Sequence, residues 1–160
     1  MSIEEQLEIT VTVNGEQVTR SVPVRQHLVD FLRTELGFTG SHIGCEHGIC
    51  GACSVRVDGA VVRGCLMLAV QADGSDVVTI EGLTESGEIA DLQESFVERN
   101  ALQCGYCTPG MLMTAADLLK AGKSAARDDI RAFLSGNYCR CTGYQTIIDA
   151  VEVTLKGRGL

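Results

Sequence analysis

The sequence has no tryptophan, two prolines, four Phe and three Tyr among its 160 residues. A core with so few rings must be filled by Val, Ile, Leu and Ala, and punctuation of the chain falls to its 18 glycines. Positive charge is also short: 13 Lys and Arg face 21 Asp and Glu, a formal net charge of −8. That balance excludes chain-wide attraction to nucleic acid or anionic lipid. No 18 apolar residues run together, so no membrane-spanning helix is expected. The first residues carry Glu4, Glu5 and Glu8, with no basic stretch leading into an apolar run, so no secretory leader is expected and the expected location is cytoplasmic. Absent too are a G-x-G-x-x-G phosphate loop and any compact acid–base constellation, so no residue is expected to be catalytic within this chain alone.

What the sequence has is eight cysteines in two sets of four. In a reducing compartment, grouped thiols bind metal or carry redox chemistry more often than they form disulfides. Cys45, Cys50, Cys53 and Cys65 read C-x4-C-x2-C-x11-C, and Cys104, Cys107, Cys139 and Cys141 read C-x2-C-x31-C-x-C.

The two halves differ in hydrophobic period. Leu7, Ile9, Val11 and Val13 alternate with polar residues, Asn14-Gly15 signals a two-residue turn, and Val18 to Val22 returns as a second strand. Leu28, Phe31, Leu32 and Leu36 then follow helical spacing up to Gly37. Strands are expected at Ser54 to Val57, Ala60 to Arg63 and Val77 to Ile80, giving an α+β first half. Gly82, Ser86 and Gly87 among acidic residues mark a solvated linker, and the acidic residues up to Glu94 a solvated helix face. After it, helices are expected around Ile89, Leu92 and Phe96; Met111 to Leu119; Ile130, Phe133 and Leu134; and Ile147 to Leu155. Thr108-Pro109 reads as N-cap and first helical residue, and Gly136-Asn137 as a helix stop. Four helices with short links suggest a small bundle.

Glycines at 44, 48 and 51 force the first cysteine run into a loop, where backbone N–H groups can turn toward sulfur. Its C-x4-C-x2-C spacing with a distant fourth cysteine is that of a plant-type [2Fe–2S] site, whereas zinc loops use separated C-x2-C knuckles. The second set could hold zinc as readily as iron by spacing alone. Both of its pairs precede expected helices, whose N-termini favour thiolate.

Three runs now stand together: Gly44-Cys45-Glu46-His47-Gly48-Ile49-Cys50-Gly51-Ala52-Cys53, Gln103-Cys104-Gly105-Tyr106-Cys107-Thr108-Pro109-Gly110-Met111, and Gly136-Asn137-Tyr138-Cys139-Arg140-Cys141-Thr142-Gly143-Tyr144. They closely resemble the small iron–sulfur subunit of the molybdenum hydroxylases, a family that includes xanthine dehydrogenase, aldehyde oxidoreductase, aerobic carbon monoxide dehydrogenase and bacterial N-heterocycle hydroxylases. The likeness spans essentially the whole chain. It implies a β-grasp, plant-ferredoxin-like domain over residues 1–81 and an all-α four-helix domain over residues 82–160, each with one [2Fe–2S] cluster. By this resemblance Cys45, Cys50, Cys53 and Cys65 hold the first cluster, and Cys104, Cys107, Cys139 and Cys141 the second. Gln103 and Cys141 match positions that touch molybdopterin, which sits on a large partner subunit and can be of the cytosine dinucleotide type. FAD sits on a medium subunit, and the assembly implied is a dimer of heterotrimers. Electrons would pass from molybdenum through the helical-domain cluster to the other cluster and on to FAD. The cluster loops and the segment at Gln145 resemble the carbon monoxide and aldehyde branch, with an N-heterocycle or purine as the alternative substrate. A free-standing ferredoxin and a zinc-stabilised interaction protein are the competing readings.

His42 and His47 border a set already complete with four cysteines, so ligand roles are not expected for them. Tyr106, Tyr138 and Tyr144 are expected to pack around the second set and shield it. Arg140 offsets cluster charge or pairs across a subunit boundary, and Met111 and Met113 fill core.

Overall fold

The computed structural model describes residues 5–122 and 125–160; the reading of the amino terminus falls partly on residues 1–4, outside them. β1 (Gln6–Val13) and β2 (Glu16–Pro23) pair antiparallel, joined through Asn14 and Gly15, both left-handed at φ 52° and 85°. Those two angles suit the turn that matches strand twist, and they are why Asn-Gly stands there. Ile9, Val11, Val13 and Val22 are buried on one face, as strict alternation demands. A helix follows as α1 (Leu28–Asp30) and continues as one wider π turn over Phe31–Glu35, with Gly37 in left-handed conformation beyond it. Leu28, Phe31 and Leu32 lie fully buried in one cluster with Ile9, Val11, Val55, Val57 and Val77. Burial of each such side chain stabilises by about 1.5–3 kcal/mol.

β3 (Ser54–Val57) and β4 (Ala60–Arg63) form a second hairpin, a 3-10 turn spans Ala69–Ala72, and β5 (Asp76–Val78) closes the sheet. Strand order is β2-β1-β5-β3-β4, with β1 and β5 parallel and all other pairs antiparallel. A helix laid across such a mixed sheet is the expected β-grasp arrangement.

The expected last strand is shorter than the sequence suggests. Ile80 begins α2 (Ile80–Glu85), so the stretch read as a solvated linker is in part a helix. Its acidic side chain Glu81 is engaged, accepting from Gly40 N–H at 2.8 Å and from Thr79 Oγ1 at 2.6 Å, and its apolar residues Ile80 and Leu83 join the helical core. The remaining helices are α3 (Ala90–Glu98), α4 (Thr108–Lys120), α5 (Arg127–Leu134) and α6 (Gln145–Gly157). Met111 and Met113 are fully buried between them, as expected of core filling, with Leu92, Phe96, Ile130, Ile147 and Val151. Phe133 departs from its expected inward place and is 41% exposed, because the short α5 buries only Ile130 and Leu134. Ile89 stands at the N-cap of α3 rather than within it.

Candidate metal centres

The first cysteine loop is shaped by three left-handed residues, Glu46, Gly48 and Gly51. This curl turns the N–H groups of His47, Ile49 and Cys50 onto Cys45 Sγ at 3.4, 3.3 and 3.3 Å. Led by the Cys50 and His47 amides, they hold the Cys45 thiol down at about 6. Hydrogen bonds to the charged form of a group stabilise that form. Cys53 and Cys65 are buried, and burial, with the Cys65 and Cys50 thiols nearby, pushes Cys53 up to about 11. The four thiols stand as two hydrogen-bonding pairs, Cys45 with Cys50 and Cys53 with Cys65, and Cys50 lies within electrostatic reach of Cys53.

In the second set Cys104 and Cys141 are exposed with their sulfurs 3.5 Å apart, while Cys107 pairs with Cys139. Burial, reinforced by Cys139 and Cys104, pushes Cys107 up to about 12. Burial also works on Cys139, but the Thr142 hydroxyl at 3.1 Å and its N–H at 3.4 Å outweigh it and hold that thiol below its ordinary value. Cys107 occupies the N-cap of α4, which moves the cap one residue before the expected Thr108. Cys139 and Cys141 are set back from α6 by a turn in which Tyr144, left-handed at φ 69°, accepts the Cys139 N–H on its hydroxyl at 2.9 Å. Helix-start placement thus holds for Cys107, whereas at Cys139 the donor is Thr142 rather than a helix terminus.

All eight thiols are free, and among the described residues no group of three or more His, Cys, Asp or Glu is placed to hold a single metal ion. Two pairs of thiols in each set suit a two-iron cluster, one pair to each iron. The N–H groups on Cys45 and Cys139 are the kind of donors that tune cluster sulfur. The residues present fit the group.

Gln103 and Cys141, predicted neighbours of a pterin, stand side by side at the surface, Gln103 Nε2 donating to the Cys141 carbonyl at 3.2 Å. Tyr106 and Tyr138 are 48% and 55% exposed, so neither seals its set within this chain. Tyr106 instead stacks on His42 with ring centroids 4.5 Å apart, donates its hydroxyl to the Ile43 carbonyl at 2.7 Å, and accepts His42 Nδ1–H on its own carbonyl at 2.8 Å. These bonds tie the two cysteine loops together. Arg140 and His47 are exposed.

Sequence reasoning missed the polar junction between the sets. Asn137, read only as a helix stop, is buried and bonds to Gly51, Thr114 and Arg63, and the next residue donates its N–H to the Cys50 carbonyl at 2.8 Å. Its one sequence signal was an amide placed two residues before a cysteine.

Two family descriptions match the chain in succession: "2Fe-2S iron-sulfur cluster binding domain" over residues 11–78 and "[2Fe-2S] binding domain" over residues 79–152. Subunit gamma of caffeine dehydrogenase from Pseudomonas sp. (strain CBB1) is 51% identical over 147 residues, spanning 90% of this chain and 88% of that protein. The chain belongs to the small iron–sulfur subunits of the molybdenum hydroxylases. The structure of quinoline 2-oxidoreductase from Pseudomonas putida 86 contains a chain that superposes with a TM-score of 0.90 at 47% identity, covering 96% of this chain and 95% of that one. Aldehyde oxidoreductase from Desulfovibrio gigas superposes at 0.85 with 39% identity over 96% of this chain, but this covers only 17% of the larger protein. As a family member the chain is the electron-transfer subunit of an oxidoreductase and carries two [2Fe–2S]-binding domains. A free-standing ferredoxin is not supported, since the small relative matched nearly end to end bears a subunit's name. No helix among the described residues is long and apolar enough to cross a membrane.

Proposed function

We propose that this subunit relays electrons one at a time from a molybdopterin centre on a large partner to FAD on a medium partner. Cys104, Cys107, Cys139 and Cys141 hold the first cluster on this route; Cys45, Cys50, Cys53 and Cys65 hold the second. Bound there, each cluster supplies a one-electron store. The observation that carries the reading is the arrangement of eight free thiols as two pairs per set, with the Tyr138 N–H on the Cys50 carbonyl bridging the sets. The thiols direct the order. Cys104 and Cys141 are exposed beside Gln103, which offers the partner's pterin a carboxamide and a cluster ligand on one surface, while Cys53 and Cys65 lie inside.

Residues 1–81 and 82–160 are the two working domains, a division supported by the separate cores of sheet and helices, although α2 begins at Ile80 and Ile80 packs on the helical side, two residues before the division. The site of action is the cytoplasm and the assembly a dimer of heterotrimers. Resemblance of the cluster loops favours carbon monoxide or an aldehyde as the partner's substrate, with an N-heterocycle or purine as the alternative. The relatives named for caffeine and quinoline, however, are more similar than the one named for aldehyde. We therefore assign the substrate to the nitrogen-heterocycle class.

Purification from the native host tests the reading. The chain should come with two larger subunits, contain about four irons per chain and give two EPR signals once reduced. Zinc in place of iron, or a chain that purifies alone, would overturn it.

A further inference from the structure

The junction between the two cysteine sets holds more polar structure than two separate metal sites need. Asn137 is 2% exposed, and both ends of its amide are used. Its Oδ1 accepts from Thr114 Oγ1 on α4 at 3.0 Å and from the Arg63 guanidinium at the end of β4 at 3.4 Å, and its Nδ2 donates to the Gly51 carbonyl at 3.3 Å. Arg63 also donates to the Gly136 carbonyl at 2.8 Å and to Ser54 Oγ, and Ser54 Oγ donates to the Gly51 carbonyl at 2.6 Å. Sheet, helix and both loops are therefore held through one side chain. Backbone meets backbone around it: a Cβ at Gly110 would lie 2.2 Å from the Gly51 carbonyl oxygen, and one at Gly51 2.6 Å from Asn137 Nδ2.

The consequence falls on the next peptide group. Tyr138 N–H donates to the Cys50 carbonyl at 2.8 Å, and Tyr138 is bonded directly to Cys139. Cys50 and Cys139, one ligand from each set, are thereby joined by a route made only of covalent bonds and one short hydrogen bond. Tyr138's own ring is exposed and is not needed on that route.

We propose that Asn137, backed by Arg63 and Thr114, is the positioning residue for electron passage between the clusters, because it keeps the Tyr138 N–H on the Cys50 carbonyl. This rests on the relay reading above. In each passage one electron leaves the helical-domain cluster, oxidising it by one unit, and enters the β-domain cluster, reducing it by one; no bond breaks and no proton moves. A buried amide with partners at both ends cannot swing without giving up its own bond to the Gly51 carbonyl or its bond from Thr114 Oγ1. The separation and bonding of the two loops are thus fixed by side-chain chemistry.

The test uses the intact complex carrying Asn137→Ala, Thr114→Val or Arg63→Met. Pulse radiolysis with methyl viologen radical as electron donor follows redistribution of the injected electron between clusters, and EPR of the dithionite-reduced complex reports spin–spin splitting between them. In Asn137→Ala, redistribution should slow at least severalfold and the splitting shrink, with iron content, each cluster's g values and each potential unchanged. Thr114→Val and Arg63→Met should do the same to a smaller degree, and they decide the matter if Asn137→Ala fails to load iron. Unchanged redistribution and splitting would overturn the proposal, as would losses that merely track missing iron or shifted potentials. A wild-type complex showing no redistribution at all would instead overturn the relay reading itself.

Discussion

Two residues show how little freedom the cysteine loops have. Gly51 is left-handed at φ 77° and has Asn137 Nδ2 and the Gly136 carbonyl within 2.8 Å of where a Cβ would stand. Gly51→Ala should therefore destabilise the loaded protein by about 1–3 kcal/mol, read as a drop in urea midpoint at constant slope. Cys141 lies in the exposed half of the second set, remote in sequence from every ligand of the first. Cys141→Ser should abolish the helical-domain EPR signal while the other persists; loss of both together would contradict separate binding by the two sets. The grouping of the thiols into two sets was legible in the sequence because spacing is local for three of the first four cysteines and for each C-x2-C or C-x-C pair. Asn137 was not legible, because its partner Gly51 is 86 residues away and no local pattern marks a tertiary amide.

At the scale of elements, sheet and helices are also fastened by an ion pair. Arg56 on β3 is 6% exposed and grips Glu88, just before α3, through both terminal nitrogens at 2.9 and 3.2 Å. Arg56 holds the Glu88 carboxyl below the usual carboxylate range. A carboxyl depressed in the folded state adds stability that is complete above its unfolded value, near 4.3, and is lost as pH falls through the folded value. Glu88→Gln should accordingly cost about 1 kcal/mol, a figure reduced for Glu88's contact with solvent, and the cost should be equal at pH 6 and pH 8. Urea unfolding at those two pH values checks it; a cost that changes between them would remove this pair as its source. The hairpins and four longer helices were readable because their apolar periods are uninterrupted. α2 escaped because Gly82, Glu85, Ser86 and Gly87 carry the composition of a linker, and only the tertiary seats of Ile80, Leu83 and Glu81 make that stretch a helix.

Across the whole molecule the two sets differ in shelter. Cys53 and Cys65 are 2% exposed, whereas Cys104 and Cys141 face solvent. An iron chelator added to the separated subunit should therefore strip the helical-domain cluster first and leave the other signal for last. In the complete complex that difference should shrink if, as proposed, a partner covers Cys104, Cys141 and Gln103. Equal loss rates in the separated subunit would show that exposure of the thiols does not govern access to iron. The same gradient imposes an order of manufacture. The sheltered set closes once Cys65 folds back from beyond the β3–β4 hairpin, but the open set stays within reach of an iron donor only while its surface is bare. On the proposed docking, loading and repair of the outer cluster would come first, which would make assembly with the large subunit the step at which an unfinished chain is sorted from a finished one.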